Sequence, residues 1–225
     1  MPMTLPYHTI LFDLDGTLTD PKEGITKSII YALDKMGIDI PPMDTLTSFI
    51  GPPLPQSFKA QFQLSDEEVQ QAMTYYRERF SDVGLYENIV FDGIEEMLAS
   101  MKKNGYTLAV ATSKPTVFAK KILDHFNLSQ YFNVIVGSEL DGTRSLKGEV
   151  IQEVLKQLGT KELAKTIMIG DRKHDLIGAK ENGIDSIGVT YGYGSQAELE
   201  EAEATYIVHT VTSFSIIFGK KASFI

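Results

Sequence analysis

Short β-rich apolar runs alternate with segments of helical periodicity along most of this chain, and that alternation limits the fold more than any other feature. The runs are Ile10 to Phe12, Tyr106 to Ala111, Val134 to Val136, Ile167 to Ile169 and Ile184 to Val189. Between them, apolar residues recur at three- and four-residue intervals: Ile94, Met97, Leu98 and Met101; Phe118, Ile122 and Phe126; Ile151, Val154, Leu155 and Leu158. Strands alternating with helices predict a parallel sheet covered on both faces. The expected fold class is α/β, a doubly wound parallel sheet. With 225 residues the chain has room for such a domain and one smaller unit.

The interval from residue 20 to residue 85 breaks the rhythm and reads as helices only. Ile25, Ile29, Leu33 and Met36 share one face that stops at Gly37. Later come Val69, Met73, Tyr76, Phe80 and Val83, with Ser65 and Glu68 spaced as a capping box. Gly51-Pro52-Pro53-Leu54-Pro55 marks a stiff turn between them. The expected organisation is a discontinuous α/β core, residues 1–19 and 86–225, with an inserted all-helical cap over residues 20–85. A merely ornamental crossover has the same composition. The insert, however, leaves the sheet just after an acidic loop and must return beside it, which is where a lid would sit. Near the C-terminus, Phe214, Ile216, Ile217 and Phe218 predict a last helix or strand closing the core.

Composition narrows the function classes. A net charge of −9 without any basic block argues against a nucleic-acid partner. The absence of cysteine excludes a disulfide framework, a thiolate nucleophile and a Cys-based zinc site, and fits a cytoplasmic protein. No run of 18 apolar residues suggests a membrane span, and Met1-Pro2-Met3-Thr4-Leu5-Pro6 does not resemble a signal peptide. Oligomeric state has no signature here.

The chemistry is concentrated where strands end. The first apolar run stops in Asp13 and Asp15, followed by Gly16 and Thr17. Alternation places both carboxylates on one side, past the strand's C-terminal end, the edge at which open α/β sheets bind ligands. Two carboxylates aimed at one small volume are costly unless a cation, a shared proton or chemistry requires them. The plainer alternative is an acidic turn with Gly16 at positive φ. After Leu108 to Ala111 come Thr112 and Ser113, placed either to hold an anion or to cap the helix that Pro115 is suited to begin. After Ile167 to Ile169 come Gly170 and Asp171, with Asp175 in the first turn of a helix expected near Lys173. Capping explains one of these two aspartates but hardly both. Lys147, ahead of a helix near Gly148, would pass for a surface lysine in isolation. Four aspartates at one edge nevertheless need compensation. With Asp15 protonated, one Mg²⁺ and Lys147 bring the site close to neutrality, ready for a phosphate dianion. Oxygen ligands with no His or Cys suit Mg²⁺ rather than zinc.

Taken together, Asp13-Leu14-Asp15-Gly16-Thr17, Thr112, Lys147, and Gly170-Asp171 with Asp175 resemble, in order, the four motifs of the haloacid dehalogenase superfamily. The helical insert resembles that superfamily's small cap, and the sheet its Rossmann-like core. Phe49-Ile50-Gly51-Pro52-Pro53-Leu54 and Gly170-Asp171-Arg172 resemble the phosphoglycolate phosphatase-like branch, some members of which are called 5′-nucleotidases. The resemblance implies a Mg²⁺-dependent phosphatase acting on small phosphate monoesters through an aspartyl-phosphate. In it, Asp13 is the nucleophile, and Asp15 protonates the leaving oxygen and then deprotonates water. Thr112, with Ser113, holds the phosphoryl oxygens, and Lys147 neutralises charge. Mg²⁺ is bound by Asp13, the carbonyl of Asp15, Asp171 and Asp175.

Specificity candidates are the Gly51 turn, Arg144, and the loop Tyr191-Gly192-Tyr193-Gly194. Arg144 could pair with a substrate carboxylate or second phosphate, or simply be solvated; the tyrosines could stack on a base or pack the loop. Two rivals stand beside the phosphatase. Sugar phosphomutases of the superfamily keep the second aspartate but usually carry a cap arginine just beyond the glycine matched by Gly51, and Pro52 to Phe58 contains none. A non-catalytic phospho-ligand module would have no use for a protonated general acid.

Overall fold

The five apolar runs all become strands of one sheet, whose pleat sorts their side chains onto two faces. The structure is a computed structural model and describes residues 5–218. The expectation for Met1 to Thr4 and the outermost part of the core span, residues 219–225, lie outside the described residues. In chain order the elements are β1 (Thr9–Phe12), β2 (Thr19–Asp20), α1 (Lys22–Met36), α2 (Leu54–Phe62), α3 (Asp66–Arg79), β3 (Ile89–Val90), α4 (Ile94–Lys103), β4 (Thr107–Pro115) and α5 (Thr116–His125). They continue with β5 (Val134–Ser138), α6 (Lys147–Leu158), β6 (Thr166–Gly170), α7 (Lys173–Glu181), β7 (Asp185–Val189), α8 (Gln196–Glu201), β8 (Tyr206–Val208) and α9 (Phe214–Ile217).

The main sheet has six strands in the order β5-β4-β1-β6-β7-β8, and every pairing is parallel. The strand order reverses at β1, which has β4 on one side and β6 on the other. In a doubly wound sheet that reversal opens a crevice at the strands' C-terminal ends. Ile10 and Phe12 of β1 join Leu108, Val110, Ile167 and Ile169 in one buried cluster. Leu11 joins Ala109, Ala111 and Met168 in another, against Val150, Ile151 and Val154 of α6. The period of two puts alternate residues on opposite layers, so both faces are dry.

Between β2 and β3 the chain is helical. Ile25, Ile29 and Leu33 of α1 are buried, and Gly37 ends the helix in the left-handed conformation. At the start of α3, Ser65 and Glu68 form the expected capping box. Val83 departs from the expected face and is 48% exposed. The reason is a π-helical turn, Phe80–Gly84, that follows α3: its wider turn shifts the helical phase. Phe49, Phe58 and Phe62 form an aromatic cluster with ring centroids 5.4 to 6.2 Å apart. The stiff Gly51–Pro55 turn leads straight into α2, where Pro55 falls in the first turn and withholds no needed N–H.

The two ends of this helical stretch meet. Strands β2 and β3 pair antiparallel, Thr19 against Val90 and Asp20 against Ile89. Beside them Arg79 makes a two-pronged ion pair with Glu87, at 2.7 and 3.0 Å, which Lys27 joins at 3.1 Å.

Candidate active site

The acidic loop begins as an extension of the sheet. The Asp13 N–H donates to the Ile169 carbonyl at 2.9 Å, carrying the β1 ladder one residue past the strand. The chain then turns tightly, with the Thr17, Leu18 and Thr19 N–H groups all donating to the Leu14 carbonyl. Gly16 has φ +80°, and a Cβ there would lie 2.2 Å from Asp171 Oδ2. Only glycine lets this turn approach the β6 loop so closely.

Asp13, Asp15, Thr112, Lys147, Asp171 and Asp175 are all buried at this one edge. Lys147, the first residue of α6, reaches inward: its Nζ lies 2.9 Å from Asp13 Oδ1, 2.7 Å from Asp175 Oδ1 and 3.1 Å from the Ala111 carbonyl. Burial disfavours its ammonium, but the Asp13 and Asp175 carboxylates outweigh that and hold its pKa above the usual lysine range. Asp171 accepts from Thr17 Oγ1 at 3.3 Å and from the Tyr193 N–H at 2.7 Å. Asp175 accepts from the Arg172 N–H at 3.1 Å. The Thr112 hydroxyl accepts from the Lys114 N–H at 3.2 Å.

Lys114 is the residue that sequence reasoning missed. Its Nζ lies 2.7 Å from Asp15 Oδ2 and 4.7 Å from the centre of the Phe80 ring, with only 4% of the side chain exposed. Strand β4 extends to Pro115 through a register irregularity, with Thr112 and Lys114 buried on either side of a half-buried Ser113, and the apolar run that ends at Ala111 gave no signal of that extension. Pro115 is thus the residue before α5 rather than its first. The other oxygen of Asp15, Oδ1, is buried and has no hydrogen-bond partner. Burial pushes the Asp15 carboxyl above the ordinary range, and Lys114 pulls against it.

Four buried carboxylates therefore face two buried ammoniums, which leaves two negative charges without a partner. Oxygens of Asp13, Asp171 and Asp175 lie within 4.8 Å of one another. Burial, with Asp175 and Asp13 close by, raises the Asp171 carboxyl well above its usual range. Crowding of this kind is unfavourable unless a cation enters, and an all-oxygen donor set suits a hard divalent ion. The residues present fit a metal.

Above the acids lies a cavity of about 300 Å³ between the sheet edge and the helical stretch. Its floor includes Asp15, Ser113 and Lys114; its walls include Ile25, Phe49, Met73, Tyr76, Phe80 and Phe118. Asp15 is the member of the acidic group that the cavity reaches. Gly51 lines the cavity too, but Arg144 does not: it is ion-paired to Glu139 and donates to the Gly137 carbonyl at 3.3 Å. The two loop tyrosines act as braces. Tyr191 donates to the Thr17 carbonyl at 3.0 Å with its ring edge-on to Phe91, and Tyr193 donates to Asp20.

This arrangement has known counterparts. Residues 10–189 match the family described as haloacid dehalogenase-like hydrolase. The chain belongs to that family. A protein named 5′-nucleotidase from Pseudomonas aeruginosa is 52% identical over 202 residues, covering 90% of this chain and 91% of that one. The tyrosine-protein kinase PtkA of Mycobacterium tuberculosis is 39% identical over 203 residues, 90% of this chain and 69% of that protein. Among solved structures, one described as a predicted phosphatase from Clostridium acetobutylicum superimposes with a TM-score of 0.89 at 51% identity, covering 92% of this chain and 95% of that one. Among this hydrolase's described residues, no helix is long and apolar enough to cross a membrane.

Proposed function

We propose that this hydrolase is a Mg²⁺-dependent phosphatase of small phosphate monoesters, with Asp13 as nucleophile and Asp15 as general acid–base. The observation that carries this reading is that a different buried lysine meets each of the two aspartates, Lys114 at Asp15 and Lys147 at Asp13, the latter shared with Asp175 of the adjoining carboxylate triad. An Asp13 oxygen attacks phosphorus while the ester P–O bond breaks. The leaving oxygen takes the proton from Asp15. Water then attacks the aspartyl-phosphate, gives its proton to Asp15, and frees Asp13 as inorganic phosphate departs. Lys147 cancels the repulsion between the Asp13 carboxylate and the phosphate dianion. Thr112 and the Ser113 segment hold the phosphoryl oxygens.

Asp13, Asp171 and Asp175, with the Asp15 carbonyl, would hold Mg²⁺, which would neutralise charge on the phosphoryl oxygens. With the metal and both lysines in place, protonation of Asp15 leaves the site positive, matched to a dianion. The helical segment, residues 20–85, acts as the lid of the cavity.

The cavity speaks for the leaving group. Its walls are mainly aromatic and aliphatic, with Gln56, Gln70 and Glu139 among them, and its two cations are engaged: Lys114 with Asp15, and Arg77 with the Leu140 carbonyl at 2.8 Å. A planar or apolar leaving group, as in nucleoside 5′-monophosphates or aryl phosphates, suits it better than the carboxylate of phosphoglycolate. The 5′-nucleotidase name of the 52% identical relative points the same way. A chain without cysteine is suited to the cytoplasm.

The test is phosphate release from nucleoside 5′-monophosphates, phosphoglycolate, hexose phosphates and an aryl phosphate, with Mg²⁺ and with EDTA. Release is expected only with Mg²⁺, fastest for the nucleotides and the aryl ester, and absent in Asp13→Asn despite an unchanged circular dichroism spectrum. Retained turnover in that variant removes Asp13 as nucleophile. Interconversion of hexose 1- and 6-phosphates without release hands the site to a mutase. Silence in both assays leaves a phospho-ligand binding module.

A further inference from the structure

Arg172 stands between Asp171 and Asp175, and its backbone and side chain serve different parts of the molecule. The backbone N–H holds Asp175 Oδ2 at 3.1 Å. The side chain leaves the core: Nη1 donates to the Ile50 carbonyl at 2.6 Å, and Nε donates to Glu198 Oε1 at 3.0 Å. Glu198 is itself fixed, since it accepts from the Lys173 N–H at 2.9 Å and its own N–H is capped by Ser195. On the far side, Gly51 has φ +101°, and a Cβ there would lie 2.6 Å from Arg172 Cγ. The turn thus comes so close to the arginine stem that no side chain fits between them.

An arginine paired only to Glu198 would need neither the Ile50 carbonyl nor the bare glycine. Its rigid fork is divided between an anchored carboxylate of the core and a neutral carbonyl of the helical segment, an arrangement a single ammonium cannot copy. The turn it holds walls the cavity, and the loop that bears it carries two of the clustered acids.

We propose that Arg172 is a positioning residue that yokes the Ile50–Gly51 turn of the lid to the Asp171–Asp175 loop, so that a divalent cation ordering the loop also fixes the turn over the cavity. This rests on the reading of Asp171 and Asp175 as cation ligands. It makes the lid's specificity turn responsive to metal occupancy before any substrate arrives.

Amide hydrogen exchange on the full chain, with and without Mg²⁺ alone, tests it. In the wild type, Mg²⁺ is expected to slow exchange in peptides covering residues 46–58 and 170–176 together. In Arg172→Met the metal slows only the second peptide, and the first exchanges about tenfold faster, as losing one charged hydrogen bond predicts. Arg172→Lys behaves like Arg172→Met. Gly51→Ala also loosens the first peptide, and by less in an Arg172→Ala background, which lacks the Cγ that the new Cβ would strike. The yoke is overturned if residues 46–58 ignore Mg²⁺ in the wild type, respond to it equally in Arg172→Met, or are fully restored by lysine. Coupled protection in a protein that hydrolyses no ester upholds the yoke and sinks the phosphatase. Hydrolysis with an unresponsive lid does the reverse.

Discussion

At the residue scale, two lysines divide the electrostatic work between them. Lys147 bridges Asp13 and Asp175, and Lys114 holds Asp15 from the cavity side. Replacing Lys114 by methionine keeps most of the unbranched stem but removes the ammonium, and with it both the Asp15 ion pair and the cation–π contact with Phe80. The variant should fold, and kcat should fall about a hundredfold, the lower end of what positioned acid–base catalysis contributes. Steady-state kinetics beside a thermal melt decides it, and an unchanged kcat would reduce Lys114 to packing. The acids were legible in the sequence because a charge at the end of an apolar strand has no cheap structural excuse. Lys114 was not legible, because the apolar run stops at Ala111 while the strand continues to Pro115 through a register irregularity. Its place on that strand is visible only once the strand's true length is known. Arg172 was read as part of a motif, but its role depends on Ile50, 122 positions away.

At the scale of elements, the periodic segments reproduced well because their apolar stripes are long. The misses are short or irregular. Strand β8 has three residues at the edge of the sheet, too few to show an alternation. The π-turn after α3 breaks the very period used to find the helix. Packing predictions belong here. Phe58 is fully buried among Phe49 and Phe62, so Phe58→Ala should cost about 3–5 kcal/mol in urea unfolding. Glu87 joins α1, α3 and the ribbon, and its pKa is lowered chiefly by the hydrogen bonds from Arg79. A depressed folded-state pKa contributes stability above the unfolded value, and that contribution is lost as pH falls through the folded one. Glu87→Gln should therefore destabilise by about 0.5–1 kcal/mol at pH 7, since the site is partly solvated, and by progressively less below pH 4.5. Paired melts across that range measure the convergence.

At the scale of the whole molecule, the proposed metal site would tie stability to occupancy. Asp171 is fully buried among like charges, so the metal-free fold carries repulsion that a divalent cation relieves. Mg²⁺ at a hundred times its dissociation constant should raise stability by about 2.7 kcal/mol, readable as a higher Tm. Asp171→Asn should abolish that rise while melting at or above the metal-free wild type. A wild-type Tm blind to Mg²⁺ would contradict the assigned triad.

The ribbon of β2 and β3 carries a consequence for how such a chain can change over time. Because the helical stretch leaves and returns on adjacent rungs, Thr19 against Val90 and Asp20 against Ile89, it is topologically a side branch of the sheet. A side branch can be lengthened, trimmed or exchanged without rethreading a single strand of the trunk. Novelty in what the cavity admits can therefore accumulate in a segment whose failures leave the reaction centre standing. Only the few residues that cross between branch and trunk, such as Arg172 and Gly51, have to change in concert.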